Sequence, residues 1–179
     1  MSFTSYLIRE FSHKAEVDQF ITLCKQLKEI YNDSSTSCYF IGNIVINGKE
    51  IDAILLSNYY ILQIEFKNYG GEIKIDENYN WELSNGVIVK GGVNKNPYNQ
   101  AKENRSGITT FLREIGLTEI KHVSSVIVFN QKICCSGTLS QATKKWLYIT
   151  DNYNFIKTLN SIKKSENKIS ENHLLLIIN

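Results

Sequence analysis

Between Cys38 and Lys67 the sequence holds three apolar runs cut by two short turns, Asn47-Gly48 and Ser57-Asn58. An Asn-Gly pair between apolar runs is a strong hairpin signal, because both central positions of a type I′ turn take positive φ. The reading is three antiparallel strands, Cys38 to Ile46, Glu50 to Leu56 and Tyr59 to Lys67. A meander of this kind has faces that need covering, and the flanking sequence supplies helices. One runs from about Ser12 to Tyr31, with Val17, Phe20, Ile21, Cys24, Leu27 and Tyr31 on one face, Ser12 as N-cap and Asn32-Asp33-Ser34-Ser35 at its end. Another runs from Pro97 to about Ile115, with Pro97 near N1 and Gly116 past the end. Glu72 to Ile75, Trp81 to Leu83 and Val87 to Val89 read as short strands, Val123 to Phe129 and Trp146 to Ile149 as later ones. A helix from about Tyr153 to Lys164 and a terminal helix from Glu171 to Ile178 complete the order. The expected class is α/β, a mixed β-sheet flanked by helices.

At 179 residues the chain suits one domain spanning 1–179. Its 42% hydrophobic and 21% charged residues are globular proportions. A net charge of +2 excludes a strongly basic coat for nucleic acid, yet admits an enzyme that meets nucleic acid through a local patch. Cys24, Cys38, Cys134 and Cys135 contain no C-x-x-C pair, so zinc-ribbon and thioredoxin readings fail on spacing. Free thiols point to a reducing, cytoplasmic setting. The apolar runs are far shorter than the ~20 residues that cross a bilayer, so no membrane partner is expected. His13, His122 and His173 are widely spaced and read as surface or capping residues.

The chemistry lies in the second and third strands of the meander. Gln63, Glu65 and Lys67 alternate with Leu62, Ile64 and Phe66, and period two puts the polar three on one face. A two-residue turn at Ser57-Asn58 sets Asp52 opposite Gln63 and makes Glu65 its diagonal neighbour on the same face. Any even-length turn keeps Asp52 and Glu65 on one side, whereas an odd one separates them. Two carboxylates and a lysine on one patch suit a hard cation, Mg²⁺ or Mn²⁺, and not zinc. The bland reading of the same residues is a solvated sheet face with a surface ion pair. Lys95, Lys102, Arg105 and Arg113 read as a solvated helix face, since Glu103 and Glu114 are interleaved.

Asp52 followed by Glu65-Phe66-Lys67 matches the D…(D/E)-x-K pattern of restriction-endonuclease-like nucleases. Together with Glu50-Ile51, Asn68, Gly71, Ile73, Trp81 and Asn96-Pro97-Tyr98-Asn99-Gln100-Ala101, the chain resembles the nuclease-related domain (NERD) family over about residues 12 to 130. That resemblance implies a restriction-endonuclease-like fold and metal-dependent cleavage of DNA, with RNA as the other substrate. It assigns Mg²⁺ or Mn²⁺ to Asp52 and Glu65, with the Phe66 carbonyl as a third ligand. Lys67 would act on the attacking water and the phosphate. Glu16, with Glu10 as its rival, is the acidic residue of the first helix, and Gln100 the glutamine opening the second. Ile51 stands where the superfamily signature has proline. Targeting would come from a protein partner such as a helicase, or from self-association. DNA repair and defence against foreign DNA are both open. The alternative is a non-catalytic nucleic-acid-binding or partner-docking module that keeps the nuclease fold.

Overall fold

The structure, a computed structural model, describes residues 3–32, 36–92, 96–120, 122–164 and 168–178. Its main sheet has six strands. β1 is Phe3–Leu7, β2 Cys38–Ile46, β3 Lys49–Ser57, β4 Ile61–Lys67, β8 Val123–Phe129 and β10 Leu147–Asp151, side by side in the order β1-β2-β3-β4-β8-β10. β2, β3 and β4 form the expected antiparallel meander, while β1, β8 and β10 join in parallel. A second sheet orders β7 (Ile88–Val89), β6 (Trp81–Leu83), β5 (Gly71–Ile75) and β9 (Ile133–Gly137). The architecture is mixed α/β and restriction-endonuclease-like.

The strand alternation sorts the core into layers. Phe40, Leu55, Leu62, Ile64 and Phe66 point to one face of the main sheet. There they cluster with Phe20, Leu23 and Leu27 of α1 (Lys14–Tyr31) and Phe155 and Leu159 of α3 (Phe155–Ser161). Ile41, Ile51, Ile54, Leu56 and Ile61 point to the other face. They meet Ile108 and Leu112 of α2 (Pro97–Glu114) and Leu174 and Ile177 of α4 (Glu171–Ile178). The second sheet packs Ile73, Trp81 and Val89 against Ala101 of α2 and Ile127 and Phe129 of β8.

Two local devices fix α2. Asn96 caps its start, accepting the Tyr98 N–H at 2.8 Å, and Pro97 follows. At its end Gly116 sits at φ +83°, its N–H bonds the Arg113 carbonyl and the Leu117 N–H bonds Leu112 at 2.8 Å. That is a Schellman ending, sealed by Leu117 and Leu112 in one apolar cluster. Gly42 lets α1 approach β2 closely, because a Cβ there would lie 2.6 Å from the Phe20 ring.

Several expectations are corrected. β1 and β9 have no counterpart in the sequence reading. α1 is preceded by His13 and not Ser12 at the N-cap position, and Asp33, Ser34 and Ser35 lie outside the described residues. α3 is shorter at both ends than Tyr153 to Lys164. The turn between β3 and β4 is shifted by one residue: the Ser57 N–H bonds the Tyr60 carbonyl, and Asn58-Tyr59 form the turn. Ser57 Oγ accepts the N–H groups of Tyr59 and Tyr60 and holds that shift in place. Leu56 therefore faces Ile61, Ile54 and not Asp52 faces Gln63, and the ladder ends at Ala53 and Ile64; carried one residue further, that register would set Asp52 opposite Glu65. The turn stays even, so the two carboxylates share a face as expected.

Candidate active site

The residues of interest gather at the C-terminal end of β4, where the first turns of α1 and α2 approach the sheet. A cleft of about 550 Å³ opens there. Asp52, Phe66, Lys67, Glu16, Glu10 and Gln100 all line it. Glu65 lies beneath, fully buried.

The backbone at Asp52 departs from regular pairing. With Ser57 and Tyr60 a hydrogen-bonded pair, such pairs recur every second residue, and Phe66 would give its N–H to Ile51. That N–H goes instead to Asp52 Oδ2 at 2.7 Å. On the other side the β2–β3 ladder skips Asn43, the neighbour of Asp52 in register, which sits at φ +48°. Asn43 turns its side chain to the loop after β1: its amide donates to the Glu10 carbonyl and accepts from Arg9, which also bonds Glu50. Asp52 is thus lifted from both neighbours and keeps an edge open to the cleft.

Glu65 is held differently. Its Oε1 accepts from Gln63 Nε2 at 2.7 Å and from Asn104 Nδ2 at 2.6 Å. Gln63 in turn accepts from Ser125 Oγ at 2.6 Å, and Asn104 donates also to the Glu50 carbonyl at 2.9 Å. The other oxygen, Oε2, is buried with no hydrogen-bond partner, 4.0 Å from Lys67 Nζ. Lys67 is itself buried and donates to Gln100 Oε1 at 2.9 Å.

Burial pushes the Asp52 carboxyl up to about 8, with the charge of Glu65 adding to the shift. Lys67 and the Phe66 N–H pull the other way and do not cancel it. Glu65 is also raised, by burial, against the opposing effects of Lys67, Asn104 and Gln63. Glu16, on the first turn of α1, is near enough to raise both. One lysine does not offset the burial and mutual repulsion of these carboxyl groups, so both are driven toward their protonated forms.

The donor set fits a hard cation. Among the described residues no three His, Cys, Asp or Glu side chains form a ready-made metal cage. Two carboxylates with waters retained is a common way of holding Mg²⁺, and Glu65 Oε2 is an oxygen donor without another partner. The structure brings Asp52, Glu65, Lys67 and Gln100 together and puts Glu16 on the cleft wall. Of Phe66, the N–H makes the contact with Asp52. Gln100 lies in the first turn of α2, where the sequence puts it.

Sequence reasoning missed several residues here. Asn104 is one of them, and its only signal is a place one helical turn after Gln100, hence on the same face of α2. Arg9, Lys90 and His13 line the cleft. His13 makes no side-chain capping bond. Lys102 and Arg113 are exposed as expected of a solvated face, Arg105 is half-buried over the Trp146 ring, and Lys95 lies outside the described residues.

The sequence pattern of the nuclease-related domain matches residues 13–130, well over half of the chain and all of the strands and helices that line this cleft, while Arg9 to Ser12 of its wall lie before the matched span. The chain belongs to the nuclease-related domain family. Comparisons with curated proteins and with solved structures find no match. In this NERD domain the matched span ends at Asn130, just after β8, so β9, β10, α3 and α4 lie beyond it. Its function is accordingly nuclease-related. Among the described residues no helix is long and apolar enough to cross a membrane.

Proposed function

We propose that this NERD domain hydrolyses phosphodiester bonds in DNA with Mg²⁺ or Mn²⁺ held by Asp52 and Glu65. The observation that carries the reading is Glu65 Oε2, buried without a hydrogen-bond donor beside Lys67 and on the same face as Asp52. The Phe66 carbonyl is the third protein ligand in this proposal. When bound, the cation supplies Lewis-acid polarisation of the phosphoryl group.

The remaining work falls to the chain's own residues. Hydrolysis adds a water oxygen to phosphorus and breaks one P–O bond, and negative charge on the phosphoryl oxygens must be stabilised on the way. The Lys67 ammonium is placed for this, and it orients the attacking water. Gln100 fixes the direction of Lys67 through the 2.9 Å bond. Glu16 adds a carboxylate at the cleft wall, in position to orient water. Arg9 and Lys90 receive backbone phosphates of the DNA.

These cations share the cleft with Glu10, Glu16, Glu50 and Asp52. DNA affinity without help is therefore weak and falls steeply with salt. A protein partner such as a helicase, or a second copy of the chain, delivers the substrate. The biological setting is DNA repair or defence against foreign DNA.

The test compares wild type, Lys67→Ala and Asp52→Ala on single- and double-stranded DNA, and on RNA, with Mn²⁺. The expected result is DNA cleavage by wild type and a loss of about 10²-fold or more in Lys67→Ala, the scale for removing one preorganised charge stabiliser. Cleavage unchanged in Lys67→Ala would sink the mechanism. Preference for RNA would reassign the substrate. No cleavage by any of the three would favour a binding or docking module.

A further inference from the structure

We infer that Asn104 is a positioning residue that decides which oxygen of Glu65 serves the cleft. The inference rests on the cation reading above and adds to it a reason why Glu65 presents one bare oxygen.

A carboxylate has two equivalent oxygens, and in water either one can take a donor. Here the protein makes them unequal. Oε1 receives two short bonds, from Gln63 and Asn104, while Oε2 receives none. Both donors are themselves anchored. The Asn104 amide nitrogen spans two oxygen acceptors, Glu65 Oε1 and the Glu50 carbonyl, and so uses both of its hydrogens. Because both neighbours are acceptors, the nitrogen and not the oxygen of that amide must face them. Gln63 is fixed in the same sense, since the Ser125 hydroxyl donates to its carbonyl oxygen and leaves the NH₂ for Glu65.

Asn104, Gln63, Ser125 and Glu65 are all buried, so water does not compete for these bonds. The four come from three elements: α2 gives Asn104, β4 gives Gln63 and Glu65, and β8 gives Ser125. The Asn104 bond to Glu50 also ties the helix to β3, two residues before Asp52. One amide therefore sets the distance between the element carrying Asp52 and the side chain of Glu65. Partners of this kind orient metal ligands, and removing one costs about 10–100-fold in metal affinity.

Titration calorimetry with Mn²⁺ alone on the full chain tests the inference, with melting followed in parallel. Asn104→Leu removes the donor at similar volume, and Ile108→Val, one turn further along α2 in the apolar core, serves as the structural control. The expected result is Mn²⁺ affinity weakened about 10–100-fold in Asn104→Leu and unchanged in Ile108→Val. The Mn²⁺ concentration for half-maximal cleavage should move by the same factor. Should Asn104→Leu not fold, Asn104→Ala removes the same donor and puts no apolar branch against the carboxylate, and the same loss is expected. Wild-type affinity retained in whichever variant folds overturns the positioning role alone. Absence of Mn²⁺ binding in wild type overturns the cation reading and this inference with it.

Discussion

Leu62, Ile64 and Phe66 leave one face of β4 and join Phe20 and Leu23 of α1, while Gln63, Glu65 and Lys67 leave the other and meet Gln100 and Asn104 of α2. Both sets are buried. On the first face each side chain contributes by leaving water, about 1.5–3 kcal/mol apiece. On the second, burial is unfavourable for every charge, and hydrogen bonds only partly offset it. The contrast also runs along α2. Ile108 and Leu112 pack in the apolar cluster that includes Ile61 at the start of β4, and Gln100 and Asn104 bind Lys67 and Glu65 toward its end. One helix thus covers an apolar seam at one end and a charged group at the other. A fold selected for stability alone would continue the apolar seam, so the charged end is where function is sought.

Substitutions on the two faces should fail in opposite ways. Leu62→Ala, in the fully buried apolar face, should cost about 2–5 kcal/mol in denaturant unfolding. Its Mn²⁺-dependent cleavage per folded molecule should stay at the wild-type level. Lys67→Ala should lose about 10²-fold or more of cleavage, near 2.7 kcal/mol of barrier, and keep a cooperative unfolding transition. If the two variants lost stability and activity in the same proportion, the division between the faces would be wrong.

Gly42→Ala probes how tightly the apolar face is packed. The new Cβ would sit 2.6 Å from a Phe20 ring that is already stacked on Phe40 at 4.8 Å. A cost of about 1–3 kcal/mol is expected from chemical unfolding, with the cleft unaffected. A neutral substitution would mean that α1 moves freely on the sheet.

A further contrast concerns pH. Asp52 has a folded-state pKa of about 8, above its unfolded value near 4. Between those values the folded state holds a proton that the unfolded state releases. The metal-free protein should therefore lose stability as pH rises from about 4 to 8, and level off above. Asp52→Asn, which has no proton to lose, should show a shallower fall. Melting temperatures of both proteins across that window check the sign; a wild type that gains stability through Asp52 over the window would contradict it.

The meander, α1, α2 and β8 were legible because each carries a period and a boundary signal: Asn47-Gly48 for the hairpin, Pro97 and Gly116 for α2. β1 and β9 were not. Both are edge strands, mostly exposed, and paired in parallel with partners far away in sequence, so neither alternation nor a local turn marks them. The face shared by Asp52 and Glu65 followed from parity, which a two-residue shift in register leaves intact. The register did not, because the Ser57 hydroxyl moves the turn by one residue. Asp52, Glu65 and Lys67 stood out as charges in apolar strands. Asn104 did not, since an asparagine in a polar stretch of helix gives no sign that it will be buried against a carboxylate.

In the proposed reading the polar face of β4 holds a divalent cation. Melting of wild type and Glu65→Gln with and without Mn²⁺ tests it. In wild type, Mn²⁺ should raise the melting temperature, by an amount equivalent to about 2.7 kcal/mol at 100 times the dissociation constant. In Glu65→Gln, which keeps an oxygen for Asn104 and Gln63 but removes the charge, Mn²⁺ should do little. Equal shifts in the two proteins, or no shift in wild type, would contradict the claim.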